Sequence, residues 1–94
     1  MVRHVVMWKF KEGERTAMER FLNGLNGLKG QIPELVDMET GIDWGGEGNY
    51  DAVLIATFHS RQDLERYQKD PRHVEVSKLC KSIRTSRIAV DFEF

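Results

Sequence analysis

The sequence has 94 residues with 14 basic and 15 acidic side chains, and this balance excludes the concentrated positive surface that nucleic acids and membranes attract. The length predicts a single small domain, residues 1–94, and Cys80 as the only cysteine excludes an internal disulfide. No apolar run resembles a signal peptide or reaches the roughly 20 residues of a membrane helix, so we expect a soluble cytoplasmic protein.

The first predicted strand, residues 3–10, alternates between two faces. Val5 and Met7 lie on one face between long cationic stems, which is typical of a partly covered surface. The opposite face carries His4, Val6, Trp8 and Phe10.

A polar turn follows, and then a helix over roughly residues 14–30. Its apolar stripe has helical spacing and consists of Met18, Phe21, Leu22, Leu25 and Leu28. Gly24, Gly27 and Gly30 recur every third residue, and each weakens a helix by ~1 kcal/mol relative to alanine. We therefore expect tertiary packing to hold this helix, with the glycines allowing close approach to the sheet.

Two further strands are predicted, residues 35–43 and 51–58, joined by a glycine-rich turn. The turn lacks the lysine and the following helix of a phosphate-binding loop, so we interpret it as a hairpin tip. The two faces of the third strand carry Ala52, Leu54, Ala56 and Phe58 on one side and Val53, Ile55 and Thr57 on the other. Because both faces are apolar, both need a cover, and one helix layer supplies only one.

The next stretch is a helix that a proline divides. Ser60 is predicted to cap its first turn. Pro71 lacks an amide hydrogen and disfavours helical geometry in the residue before it, so the helix breaks there. A second helical run starts near His73 and continues to about Ser82. A last strand over residues 84–94 places on one face Ile88, Val90, Phe92 and Phe94.

The resulting order, β-α-β-β-α-β with a divided second helix, predicts the ferredoxin-like α+β fold, a four-stranded antiparallel sheet with helices on one face. The other face would leave an apolar patch exposed, and a two-fold dimer that stacks two sheets would bury it. The residues predicted for this dimer interface are Val5, Met7, Val53 and Ile55, joined by Val90 and Phe92.

Tyr67 and His73 lie six residues apart on either side of the helix break, so both can face one hollow between sheet and helices. His4 is expected beside His73, and two imidazoles near a phenol can move protons near neutral pH. The alternative is structural: a core tyrosine with a satisfied hydroxyl, a histidine at a helix N-terminus and a hydrogen-bonded core histidine. The residues alone favour the structural interpretation.

The remaining polar residues give weaker signals. His59 is interpreted as a surface loop residue, and no carboxylate or cysteine completes a metal set with the three histidines, so no metal ion or other cofactor is expected. Cys80 lies in an apolar stripe and is expected to be buried and inert. A solvated basic face is predicted from Lys78, Lys81, Arg84 and Arg87.

Several segments resemble the stress-responsive A/B barrel (Dabb) family. Residues 2–10 look like its opening strand, residues 32–41 fit its middle segment, and residues 90–93 are similar to its closing strand. The most specific likeness is the run 58–73, which resembles the family signature s-x-x-d-L-x-x-Y-x-x-h-P-x-H after a phenylalanine that ends a strand. The resemblance covers essentially the whole chain.

The resemblance implies a ferredoxin-like protomer and a homodimer whose stacked sheets form a dimeric α+β barrel. Most of the family has no assigned activity, and some plant members are associated with stress. One plant branch is a cofactor-free polyketide cyclase that closes a linear polyketide by aldol condensation. In that branch a tyrosine and a histidine of the signature and a first-strand histidine line the pocket, at positions that match Tyr67, His73 and His4.

Two positions depart from the pattern. Asp70 stands where the family has a histidine before the proline, and Ala52 stands where the cyclase branch has a further pocket histidine. The first hypothesis is therefore a Dabb homodimer of unassigned activity with a small pocket near Tyr67 and His73, suited to a small apolar or phenolic ligand. The walls of the pocket are expected to be Val6, Trp8, Phe21, Leu25 and Leu54.

Two enzymatic alternatives remain open. In the first, a cofactor-free enzyme of the polyketide-cyclase type uses His73 as general base, assisted by His4, while Tyr67 holds or protonates a carbonyl oxygen. The second is oxygen-dependent chemistry like that of the cofactor-free quinol monooxygenases, which share the dimeric α+β barrel.

Overall fold

The computed structural model describes all 94 residues and confirms the ferredoxin-like fold. The elements are β1 (Val2–Phe10), α1 (Arg15–Asn26), β2 (Asp37–Ile42), β3 (Ala52–Phe58), α2 (Arg61–Lys69), α3 (Pro71–Ile83) and β4 (Arg84–Glu93). The strands form one antiparallel sheet in the order β2-β3-β1-β4. None of the three helices is long and apolar enough to cross a membrane.

Helix α1 is shorter than the predicted 14–30 because its glycines end it. The last helical residue is Asn26, and Gly30 adopts a φ of 85°, the left-handed conformation that favours glycine. Gly24 allows a close approach, but to α3 and not to the sheet. A Cβ atom at Gly24 would lie 3.1 Å from Cγ1 of Val76. The prediction that the glycines approach the sheet is therefore wrong, and Gly24 instead allows α1 and α3 to pack closely.

The divided helix follows from local chemistry on both sides of Pro71. The backbone N–H of Asp63 donates a 3.1 Å hydrogen bond to the Ser60 hydroxyl, which caps α2 as predicted. Asp70 is extended, with φ −61° and ψ 131°, as expected before a proline. Its carboxylate accepts a hydrogen bond from the backbone N–H of Arg72, so the residue that ends α2 also caps the start of α3.

The strand register separates two faces of the sheet. On the face away from the helices, Val5 lies between Ile55 and Val90, and Met7 lies between Val53 and Ile88. This face is open in the protomer, where the Val90 side chain is 64% exposed. The opposite face packs under α1, α2 and α3 around a core that includes Val6, Leu25, Leu54, Phe58 and Tyr67.

The edge strand β4 lies beyond the cover of the helices. Its residues Arg87, Ala89 and Asp91 pair with Trp8, Val6 and His4, which places them on the helix side of the sheet. They are nevertheless exposed, whereas their three partners in β1 are buried. The helix side of β4 is therefore open to solvent beside the buried residues of β1.

Candidate functional site

A cavity of about 290 Å³ lies between α3, β1 and the start of β4, and seven of its 14 lining residues are hydrophobic. Its walls include the five residues predicted as pocket walls, Val6, Trp8, Phe21, Leu25 and Leu54. A larger depression of about 380 Å³ lies between the β1–α1 turn and the β2–β3 hairpin, but only three of its 13 lining residues are hydrophobic. A depression of about 500 Å³ near Met7 and Trp44 has six hydrophobic lining residues of ten, but no histidine lines it. We place the candidate site in the cavity on β1, because there apolar walls meet two histidine side chains.

Trp8 shapes one end of the cavity without filling it. Its ring meets Phe21 edge to face, with centroids 5.1 Å apart, and Phe21 meets Phe10 in the same way at 6.2 Å. Such edge-to-face pairs are favourable arrangements of aromatic rings. Trp8 and Phe21 therefore form one wall of the cavity, and Phe10 packs against both rings from outside it.

His4 lines the cavity from the centre of the sheet and is 3% exposed. Its Nδ1 atom contacts the carboxylate of Asp91 on the neighbouring strand β4. Burial of an imidazole is costly without such a partner, so Asp91 explains how a histidine fits on an apolar strand face. Asp91 was missed as a site residue, because its pairing with His4 depends on the β1–β4 register and not on sequence spacing.

His73 lines the same cavity from the first turn of α3. Its Nδ1 atom lies 3.3 Å from the backbone carbonyl oxygen of Gln68, which can only accept a hydrogen bond, so Nδ1 carries the proton. Burial lowers the pKa of His73, and the nearby His4 and Arg87 act in the same direction. The hydrogen bond to Gln68 acts in the opposite direction but is the smaller effect, so the lowered pKa favours the neutral ring, in which Nε2 has a lone pair that can accept a proton.

Tyr67 lies in a layer behind His73 and does not line the cavity. Its ring packs between Phe58 and His73, with centroids 5.1 Å and 4.4 Å away. The hydroxyl is buried without a hydrogen-bond partner, and burial raises the pKa of the phenol. The structure thus brings His4 and His73 to one cavity, whereas Tyr67 contacts the cavity only through the His73 ring.

The predicted basic face is divided by the structure. Lys78 pairs with Glu75 in α3, at 3.0 Å, and points to solvent. Lys81, Arg84 and Arg87 instead line the cavity where it opens at the end of α3. Cys80 lies beside them and is 2% exposed, and burial raises the pKa of its thiol. Three of the four cations therefore line the cavity, and of these Lys81 and Arg87 are exposed to solvent as predicted, while Arg84 is half-buried.

The departures from the family signature have structural roles. The side chain and backbone N–H of Arg72 hydrogen-bond to Asp70 and lower the pKa of its carboxyl to about 2, so Asp70 is a charged helix cap. Ala52 is buried opposite Trp8 in the sheet. His59 is exposed, and no three His, Cys, Asp or Glu side chains are arranged to hold a metal ion.

A family comparison decides the membership of the chain. The profile of the stress responsive A/B barrel domain, Dabb, matches residues 2–94. The chain belongs to the Dabb family. A comparison with curated proteins gives no match.

Solved structures share the Dabb fold of this chain over nearly its whole length. A dimeric ferredoxin-like protein of unknown function from Thermobifida fusca is 26% identical, with a TM-score of 0.89 and coverage of 99% of this chain and 90% of that one. A dimeric protein of unknown function from Bacteroides fragilis is 24% identical, with a TM-score of 0.92 and coverage of 99% and 95%. A hydroxynitrile lyase from Passiflora edulis is 20% identical, with a TM-score of 0.84 and coverage of 97% and 90%.

Proposed function

We propose that this Dabb protein binds a small, largely apolar molecule in the cavity between α3 and β1. The observation that carries the proposal is the arrangement of that cavity, in which apolar walls surround two histidine side chains from different elements. Binding pockets for small molecules combine an apolar lining with a few fixed polar groups in this way. His4 and His73 would orient the ligand, since Asp91 and the Gln68 carbonyl hold their rings in place.

We also propose that the functional unit is a homodimer with its two sheets stacked face to face. The face of the sheet away from the helices has no cover within the protomer, and the proposed interface residues Val5, Met7, Val53 and Ile55 lie on it. The similar proteins from Thermobifida fusca and Bacteroides fragilis are described as dimeric. A second copy related by a two-fold axis would cover this apolar surface with its own identical surface.

Native mass spectrometry on freshly purified protein tests both proposals together. We expect a dimer that carries a small additional mass. Ser77→Met places a larger side chain at the cavity wall, whereas Ser82→Met makes the same change on the exposed surface of the same helix. We expect the additional mass to be lost in Ser77→Met and kept in Ser82→Met.

A ligand that is lost during purification would be detected by adding small aromatic and aliphatic compounds and measuring the melting temperature. Stabilisation by a compound in the parent and Ser82→Met proteins, but not in Ser77→Met, supports the pocket. A dimer without additional mass that no compound stabilises would contradict it.

The second candidate function is cofactor-free acid–base catalysis with His73 as general base. The specific observation in its favour is the neutral His73 ring, whose Nδ1 is turned to a carbonyl so that Nε2 remains free to take a proton. Tyr67 would contribute only after a movement that exposes its buried hydroxyl. The Passiflora edulis hydroxynitrile lyase has the same fold, so the fold accommodates an enzyme.

The test is the exchange of acidic C–H hydrogens of a phenyl ketone in D₂O, followed by NMR. A general base would accelerate exchange without the natural substrate. We expect His73→Asn to remove the acceleration and His59→Asn, a matched change at an exposed histidine, to keep it. Equal exchange in the two variants would contradict the role of His73.

A further inference from the structure

We propose that the ligand of this cavity is an anion, an apolar molecule with a carboxylate that Lys81, Arg84 and Arg87 hold at the cavity mouth. The inference rests on the proposed binding function and adds the chemical class of the ligand. Guanidinium groups present paired N–H donors that match the two oxygens of a carboxylate, and two of the three cations are arginines.

The charge of the cavity is not compensated by the protein. None of its 14 lining residues is an aspartate or glutamate. The ion pairs that lysines and arginines make use other residues, namely Arg15, Lys29, Arg61, Arg66, Arg72 and Lys78. Three cations without a carboxylate partner thus line one cavity, with Lys81 and Arg87 on its exposed side, in a chain whose formal net charge is −1. A bound anion would supply the missing partner.

The three cations come from two elements that meet at this end of the cavity. Lys81 lies in the last turn of α3, and Arg84 begins β4. Arg87 pairs with Trp8 and therefore projects from the helix side of the sheet. The guanidinium groups of Arg84 and Arg87 both lower the pKa of the Cys80 thiol, and that of Arg87 also lowers the pKa of His73. Both guanidinium groups therefore lie close to the cavity lining.

The strand geometry gives the distance between the two ends of the ligand. His4 and Trp8 are four residues apart in β1, and a strand rises about 3.3 Å per residue, so they are separated by about 13 Å. Arg87 is level with Trp8. A ligand with its carboxylate at Arg87 would therefore reach His4 and His73 with a medium-length alkyl or aryl body along Val6.

Compensation of the helix dipole explains these cations only in part. A cation in the last turn of a helix is favourable beside the unpaired carbonyl groups, and this accounts for Lys81. Arg87 lies in strand β4, four residues beyond Ile83 at the end of α3, where the helix dipole gives no such gain. A substitution of Arg87 therefore tests anion binding without removing a charge that stabilises the helix.

Octanoate and 1-octanol are the probes for this test, because they share an alkyl body and differ in charge. We expect titration calorimetry on the purified full chain to show octanoate binding about tenfold more tightly than 1-octanol at low salt. Arg87→Gln is expected to weaken octanoate about tenfold and to leave 1-octanol unchanged. Lys78→Gln removes one charge from the solvent side of α3 and is expected to change neither affinity.

The outcomes separate this inference from the binding function itself. Equal affinity for the two probes, or octanoate binding that Arg87→Gln leaves unchanged, would overturn the anion site and keep the apolar pocket. Equal losses in Arg87→Gln and Lys78→Gln would also overturn it, because a general charge effect would then explain the binding. If neither probe binds, the anion site is wrong, and the outcome of the mass and melting-temperature experiments decides on the pocket.

Discussion

The imidazole of His73 lies half-buried at the junction of α2 and α3, with Nδ1 against the Gln68 carbonyl. Folding lowers the pKa of this ring, mainly through burial. Between the folded and unfolded pKa values the unfolded chain therefore binds more protons. The contribution of His73 to stability is present above the unfolded value of about 6.5 and is lost as the pH falls through the folded value.

We expect His73→Gln to flatten the dependence of stability on pH. The free energy of unfolding from urea titrations should rise between pH 5 and pH 7 more steeply for the parent protein than for His73→Gln, at one fixed protein concentration. His59→Gln, a matched change at an exposed histidine, should keep the parent slope. Equal slopes in the parent and His73→Gln would show that burial does not perturb this ring.

Asp91 is expected to stabilise the fold through the buried His4. Asp91→Ala would leave the Nδ1 atom of His4 without its partner, at a cost of about 1–3 kcal/mol of unfolding free energy. Glu93→Ala removes a carboxylate from the same strand, where it pairs with the exposed Arg61, and surface pairs contribute about 0–1 kcal/mol. Chemical denaturation of both variants checks this, and a loss in Glu93→Ala as large as in Asp91→Ala would contradict it.

The sequence could predict which residues line the cavity better than what each one does there. Strand alternation placed His4 on the side of the sheet that the helices cover, and the proline break placed His73 at a helix start. The contact between His4 and Asp91 needed the register of β1 against β4, which local spacing does not contain. The position of Tyr67 behind His73 likewise depends on how α2 and α3 pack on the sheet.

At the scale of elements, local chemistry determines boundaries where one residue type acts alone. Pro71 and Ser60 fixed the break and the cap of the second helical segment from the sequence. The end of α1 is four residues earlier than the predicted one, because the apolar stripe continues to Leu28 although the helix already ends before Gly27. Periodicity reports which residues are buried, and Leu28 is buried from a turn.

Gly24 and Val76 should show an energetic coupling across the α1–α3 contact. In a Val76→Ala background, Gly24→Ala should raise the unfolding free energy by up to ~1 kcal/mol, the difference in helix propensity. With Val76 present, the new Cβ would lie 3.1 Å from Cγ1, so the gain should be smaller or reversed. A double-mutant cycle by urea unfolding measures this coupling, and additive effects would contradict the close approach.

At the scale of the whole molecule, one face of the sheet is covered by helices and the other is not. The helix face encloses the core and the cavity, so its pattern could be predicted from alternation alone. The opposite face carries apolar side chains that nothing in the protomer covers, including Met7, Ile88, Val90 and Phe92, each at least 38% exposed. A partner surface was inferred from the sequence because both faces of the third strand are apolar, but its identity could not follow from one chain.

Val90 provides the sharpest test of the stacked dimer, because it lies on β4 beside Val5 and is 64% exposed in the protomer. Val90→Lys would bury two unpaired ammonium groups, one from each copy, in an apolar interface, which costs several kcal/mol. The protomer itself should remain folded, since the lysine faces solvent when the copies separate. Analytical ultracentrifugation should therefore show a folded monomer, while Val36→Lys, at a 40% exposed valine near the opposite edge of the sheet, should remain dimeric. If Val90→Lys dimerises as tightly as the parent protein, the open face is not the interface, and its apolar residues need another cover.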